Sequence, residues 1–220
     1  MNKDIFKLFF GQLTDYLSKG GYVFYLSSEP LYKKEMVYGY NKIQFFTSAK
    51  SEFRIDFHFS IGIKEIDEVI SKYRDAKSYF ENKSAVIKNV NSIVVTTEWL
   101  HREETFDANF FSIDTINEVS LLLQRVISVI EEKGNKFFKD YSTFENLFRY
   151  YSDSSNPFVA YMNLHHKALY HVMLAKKVGS NNLETLIQSY KLQYVNSTSK
   201  VIKEGQYLEC FEDFVKNEIE

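Results

Sequence analysis

Phe53-Arg54-Ile55-Asp56-Phe57-His58-Phe59-Ser60-Ile61 alternates without a break, apolar at every odd position and polar at every even one. Side chains of a strand point to opposite faces in turn. The stretch therefore predicts one sheet wall of Phe53, Ile55, Phe57, Phe59 and Ile61, with Arg54, Asp56, His58 and Ser60 on the reverse. A helix would scatter the same aromatics around its circumference. The rest of the chain reads as a way of covering the apolar wall.

Toward the N-terminus, the polar Ser48-Ala49-Lys50-Ser51 predicts a turn into an antiparallel neighbour over 35–46. That neighbour carries Tyr38, Tyr40, Ile43 and Phe45, with Gly39 and Asn41 breaking its pattern. Residues 22–26 form a short aromatic and β-branched strand, which Ser27-Ser28-Glu29-Pro30 ends because proline removes a ladder donor. Before it, Ile5, Phe6, Phe9, Leu13, Tyr16 and Leu17 recur at helical spacing and Gly20-Gly21 stand where a left-handed cap falls. This helix lacks the Lys/Arg-rich polar face of a membrane-surface helix, so its apolar stripe is assigned to the sheet.

After Gly62 the period changes. Ile66, Val69, Ile70 and Tyr73 mark a helix, with Glu65, Asp67 and Glu68 near its start where the helix dipole favours negative charge. Residues 82–91 follow neither period, and 93–100, Ile-Val-Val-Thr-Thr-Glu-Trp-Leu, return to strand character. From Ile113 onward the pattern is helical. Asp114 is the expected N-cap of a helix carrying Ile116, Val119, Leu123, Val126, Ile127 and Ile130, closed by Gly134. Ser142-Thr143-Phe144-Glu145 has the spacing of a capping box, and 152–157 is linker-like. Further helices are expected over 158–178 before Gly179, over 183–194 after Asn181 or Asn182, and over 207–219.

These elements predict an α+β protein: an antiparallel meander sheet of about 4–5 strands packed by helices, followed by a C-terminal helical bundle. Residues 1–112 would form the helix and sheet layer. Residues 113–220 would form a mainly helical half, either separate or continuous with the first.

The chain has 220 residues, 45% of them apolar and 17% aromatic, with only two prolines, which excludes a disordered polymer. A chain of this size buries roughly 70% of its unfolded surface. The net charge is −2 and is not segregated, with 15 basic and 15 acidic residues over 1–110 and 12 and 14 over 111–220. The composition thus carries no electrostatic footprint for nucleic acid or anionic membrane. Cys210 is the single cysteine, so no intrachain disulfide forms. The charged start, Met1-Asn2-Lys3-Asp4, is unlike a secretory signal, and no run reaches the roughly 18 apolar residues of a membrane span. A cytoplasmic location is the expectation.

Candidate chemistry is sparse. Asp56 and His58 share one strand face, and an aspartate can orient an imidazole for acid–base work; with Arg54 and Ser60 the same set also describes a solvated sheet face. His101, Arg102, Glu103, Glu104 and Asp107 follow Trp99 as the start of a carboxylate or metal site or as a solvated loop, and no second ligand pair supports a metal. His165, His166 and His171 lie on one predicted helix but are five and six residues apart, which misses the His-x-x-x-His spacing of a zinc helix. Cys210 sits among Tyr207, Phe211 and Phe214, a setting for a buried thiol. No phosphate-cradling loop or nucleophile elbow is present. The binding candidates are Arg54, Asp56, His58, Ser60, His101 and Glu103; no catalytic, cofactor or metal residue is assigned.

The order helix, Gly20-Gly21-Tyr22, strand, Ile43-Gln44-Phe45-Phe46 and then the alternating stretch through Gly62-Ile63 resembles a family of uncharacterised bacterial domains, over about residues 1–150. Phe137-Phe138-Lys139-Asp140-Tyr141-Ser142-Thr143-Phe144-Glu145 resembles the segment that closes them. The resemblance implies a bacterial source and a fold, and no catalytic residue. The leading functional expectation is a non-catalytic module for a protein partner, toxin-immunity-like by analogy. The alternatives are a hydrolase or small-molecule enzyme using Asp56 and His58, and a self-associating structural protein.

Overall fold

The alternating stretch is a strand in the computed structural model of the protein, which describes residues 2–26, 29–48, 52–81, 93–96, 111–153, 162–204 and 206–220. In chain order the elements are α1 (Asn2–Lys19), β1 (Val23–Leu26), β2 (Pro30–Met36), β3 (Gly39–Ser48), β4 (Phe53–Ile63), α2 (Lys64–Tyr73), α3 (Ala76–Phe80), β5 (Ile93–Thr96) and β6 (Ser112–Ile113). There follow α4 (Val119–Val129), α5 (Asn135–Asp140), α6 (Phe144–Ser152), α7 (Leu164–Lys177), α8 (Leu183–Val195), α9 (Lys200–Glu204) and α10 (Tyr207–Phe214). They divide into two units that interleave in sequence: Met1–Gly62 with Ile93–Asp140, and Ile63–Ser92 with Tyr141–Glu220. The chain thus crosses between units at 62/63, 92/93 and 140/141.

The first unit is built on a five-strand antiparallel meander, β1-β2-β3-β4-β5, with β6 also paired to β4. β5 lies opposite His58 to Ile61, and β6 opposite Phe53 and Arg54. The stretch 35–46 is not one strand. It turns at Val37-Tyr38, with Met36 opposite Gly39, whose φ of 150° is open to glycine and strained for other residues. Pro30 opens β2 instead of ending strand structure, because the first residue of a strand tolerates a missing N–H.

Phe53, Ile55, Phe57, Phe59 and Ile61 are all buried. Phe57 stacks on Phe45 at 5.2 Å and meets Phe59 and Phe111 edge-on at 5.6 and 5.3 Å. α1 lays Ile5, Phe9, Phe10, Leu13 and Leu17 into this core, with Phe9 against Phe53 and Phe10 against Phe45. The helical stretch after Ile113 begins one residue later than expected: Thr115 forms a reciprocal capping box with Glu118, and a 3-10 turn precedes α4. The buried positions of α4 are Val119, Leu122, Val126 and Val129, while Ile116 is exposed. Gly134 does not close the helix. A π turn (Ile130–Gly134) carries the chain into α5, and a Cβ at 134 would fall 2.6 Å from the ring of Phe59. The missing side chain lets Phe59 pass close to the backbone and meet Phe138 at 5.6 Å.

The second unit is helical and is organised around α7, buried at every position from Ala168 to Ala175. Such a helix needs neighbours on all sides, and α2, α6, α8 and α10 supply them. Asn163 caps α7 by accepting from the backbone N–H groups of His165 and His166, so the helix starts at 164; the expected residues 158–161 lie outside the described ones. It ends in a Schellman pair, Gly179 N–H to Lys176 and Ser180 N–H to Ala175, with Gly179 at φ 64°. Thr143, one residue beyond the expected Ser142, caps α6 through Asn146 N–H.

Phe57→Ala is expected to cost about 3–5 kcal/mol and Gly134→Ala about 1–3 kcal/mol in urea unfolding. A Gly134→Ala protein within about 0.5 kcal/mol of wild type would contradict the approach of Phe59 to that backbone.

Candidate functional site

On the reverse face of β4 the four polar residues occupy three environments. Arg54 and Asp56 are exposed, with Nε and Oδ2 4.0 Å apart. His58 is half-buried and its ring lies 4.6 Å from that of Phe46. Ser60 is only 1% exposed, and its Oγ has no hydrogen-bond partner among the described residues. Polar exposure therefore falls steadily along the strand. His101 and Glu103, with Arg102, Glu104 and Asp107, lie outside the described residues.

The buried end of this face holds a residue that the sequence pattern did not single out. Lys42 is 5% exposed. The register of β2 with β3 sets Lys33 directly opposite it, Leu31 opposite Gln44 and Glu35 opposite Tyr40. Lys33 is balanced, pairing with Glu35 at 2.7 Å and lying 4.5 Å over the ring of Tyr40. Gln44 donates to Glu29 at 2.6 Å. Lys42 makes no hydrogen bond or ion pair among the described residues. Burial lowers its pKa from the ordinary lysine value; the charge of Glu29 opposes that shift and Lys33 adds to it.

Two contacts join β3 to β4 on this face. The ring of Tyr40 covers Gly62, where a Cβ would fall 2.1 Å from it, and Phe46 meets His58. Lys42 and Gln44 lie between Tyr40 and Phe46 on β3, and Ser60 lies between His58 and Gly62 on β4. The burial of Lys42 places a charged side chain at the covered end of this face. The parity of Ile43 and Phe45 on the apolar wall gave the only sequence signal for it: residue 42 had to face the other way.

Two of the three histidines of the second unit, His165 and His171, are held for structure. Nε2 of His165 lies 2.7 Å from the carbonyl of Tyr73, which can only accept, so Nε2 carries the proton and Nδ1 accepts from the Tyr194 hydroxyl at 2.7 Å. Ser152 Oγ donates to the carbonyl of Phe148, so it accepts from Nε2 of His171 at 3.0 Å, and Tyr190 donates to Nδ1 at 2.9 Å. Each ring is neutral with both nitrogens satisfied. Burial pushes the pKa of each down to about 4. The Cys210 thiol donates to the same Tyr73 carbonyl at 3.4 Å, and burial, with help from Asp213 and Asp75, pushes it up to about 12. It is a packing thiol and not a nucleophile. Among the described residues no group of three or more His, Cys, Asp or Glu side chains is arranged to hold a metal ion.

No family model, curated protein or solved structure matches the chain. Among the described residues no helix is long and apolar enough to cross a membrane.

The two histidines give a pH dependence of defined sign. Their folded pKa values lie below the unfolded 6.5, so their contribution to stability is complete above about pH 6.5 and is lost as pH falls toward 4. Each is expected to withdraw on the order of 3 kcal/mol across that window. In NMR titrations the ring signals of His165 and His171 should stay unchanged down to about pH 5. A midpoint near 6.5 for either would show that its ring is not buried in this network.

Proposed function

We propose that the protein is a non-catalytic binding module for a protein partner, with its recognition surface on the reverse face of the sheet at the start of β4. The observation that carries this is the exposed Arg54 and Asp56 pair, one strand position from the Phe46 and His58 ring contact. An exposed ion pair at 4.0 Å is worth little on its own. Exchanging it for better-aligned charges on a partner therefore costs little, and the adjoining aromatic supplies apolar area at low entropic cost. The apolar wall holds the alternate residues of the same strand, so the surface is preorganised. Bacterial toxin-immunity proteins are the class of role that this reading favours, by analogy, together with a cytoplasmic location.

The test is recovery of the tagged protein from its native host beside an Arg54→Glu/Asp56→Lys variant. A partner is expected to co-purify with wild type and to fall by about tenfold or more with the variant, whose melting temperature stays unchanged. Wild-type protein recovered alone, or equal recovery of the partner by both, would refute the assignment.

A further inference from the structure

We propose that Arg74 and His166, on the seam between α2 and α7, form a binding site for a tetrahedral oxyanion of the phosphate class. Their placement follows from two hydrogen bonds. Nε2 of His165 donates to the carbonyl of Tyr73 at 2.7 Å, so the end of α2 meets the start of α7. The Tyr170 hydroxyl donates to Asp67 Oδ1 at 2.7 Å, so the two helices run antiparallel along the seam. Arg74 keeps helical dihedrals (φ −61°, ψ −35°) and follows Asp67 by two turns on one face of α2. His166 precedes Tyr170 by one turn on one face of α7. The Asp67 and Tyr170 contact further along the seam therefore brings Arg74 beside His166, and the guanidinium is the leading charge acting on that imidazole.

His166 is the exception among the histidines of α7. His165 and His171 have both ring nitrogens bonded, whereas the ring of His166 packs on Tyr170 at 4.4 Å and makes no hydrogen bond among the described residues. The Arg74 side chain likewise makes no hydrogen bond or ion pair there. Both residues are partly exposed, so a ligand can reach them. Burial, then Arg74 and His165, push the pKa of His166 down to about 4, and no carboxylate opposes them. Asp67, on the same face of α2 as Arg74, lies roughly 10 Å away along the helix and is held by Tyr170. An oxyanion answers both groups: the fork of Arg74 takes two oxygens, and a ring N–H of His166 takes a third. A carboxylate has only two oxygens, and a tetrahedral dianion also favours the proton on His166 that burial disfavours. The site lies in the second unit and does not depend on the protein-binding role of the first.

Ring-proton NMR titrations at matched ionic strength test the site, with sodium phosphate, phosphoserine, sodium sulfate, sodium acetate or sodium chloride added to wild type, Arg74→Gln and His166→Asn. At neutral pH, phosphate is expected to shift the wild-type His166 signals saturably, relative to chloride, and to leave those of His165 and His171 in place. Sulfate, a dianion across the acid range, should raise the His166 midpoint from about 4 by about one pH unit or more. Arg74→Gln should weaken phosphate binding by about tenfold or more, and His166→Asn, followed through the backbone amides of residues 74 and 170, by several-fold. Both variants replace partly exposed side chains, and unchanged His165 and His171 signals show that they fold. The Arg54→Glu/Asp56→Lys variant should bind phosphate as wild type does. Phosphoserine bound more tightly than phosphate names an esterified ligand and the reverse a free one, and either supports the site. His166 signals unmoved by phosphate, or moved equally in Arg74→Gln, overturn it. An acetate response as large as that to phosphate overturns the tetrahedral preference.

Discussion

Phe57 is the contact on which the first unit depends. Its ring touches Phe45 on the neighbouring strand, Phe59 along its own strand and Phe111 on the segment entering β6, so it ties the sheet together in three directions. Each fully buried ring of this kind contributes about 1.5–3 kcal/mol from area alone. The larger effect is on register. A slip of one residue would turn Phe53, Ile55, Phe57, Phe59 and Ile61 to the other face together, so the apolar wall also determines where Arg54, Asp56, His58 and Ser60 must be. The order of the reverse face is inherited from the packing of the front.

Most of the architecture was readable from local periods. The strand at 53–63, the helices that bear Ile66 and Val119, and the glycine stops at 20–21 and 179 follow from spacing and backbone chemistry. The β2/β3 hairpin was not readable, because Pro30 has opposite meanings at the first residue and in the middle of a strand, and only pairing with Leu26 decides between them. Gly134 was misread for a similar reason. It looks like a helix stop, yet its role is to admit a ring from a strand more than seventy residues earlier in the chain.

The candidate site divides in the same way. Arg54 and Asp56 needed only parity to be placed on an open face. Lys42 needed the packing of its strand in the sheet, because a lysine in Asn41-Lys42-Ile43 carries no local mark of burial. Buried polar side chains occur in both units. In the second, Tyr194, Tyr190, Ser152 and the Tyr73 carbonyl saturate both histidines, a closed network that confers rigidity. In the first, the buried Ser60 Oγ has no hydrogen-bond partner among the described residues.

The interleaving of the units bears on biosynthesis. A ribosome delivers the chain from its N-terminus, and the sheet emerges before α4 and α5, which do not clear the exit tunnel until residue 140 has been made and extended. Until then part of the phenylalanine wall lacks its roof. Residues 63–92 must in turn wait for helices made last. A nascent chain of this design carries uncovered apolar surface for most of its synthesis, which makes it a natural client for holding chaperones and a poor candidate for expression as halves.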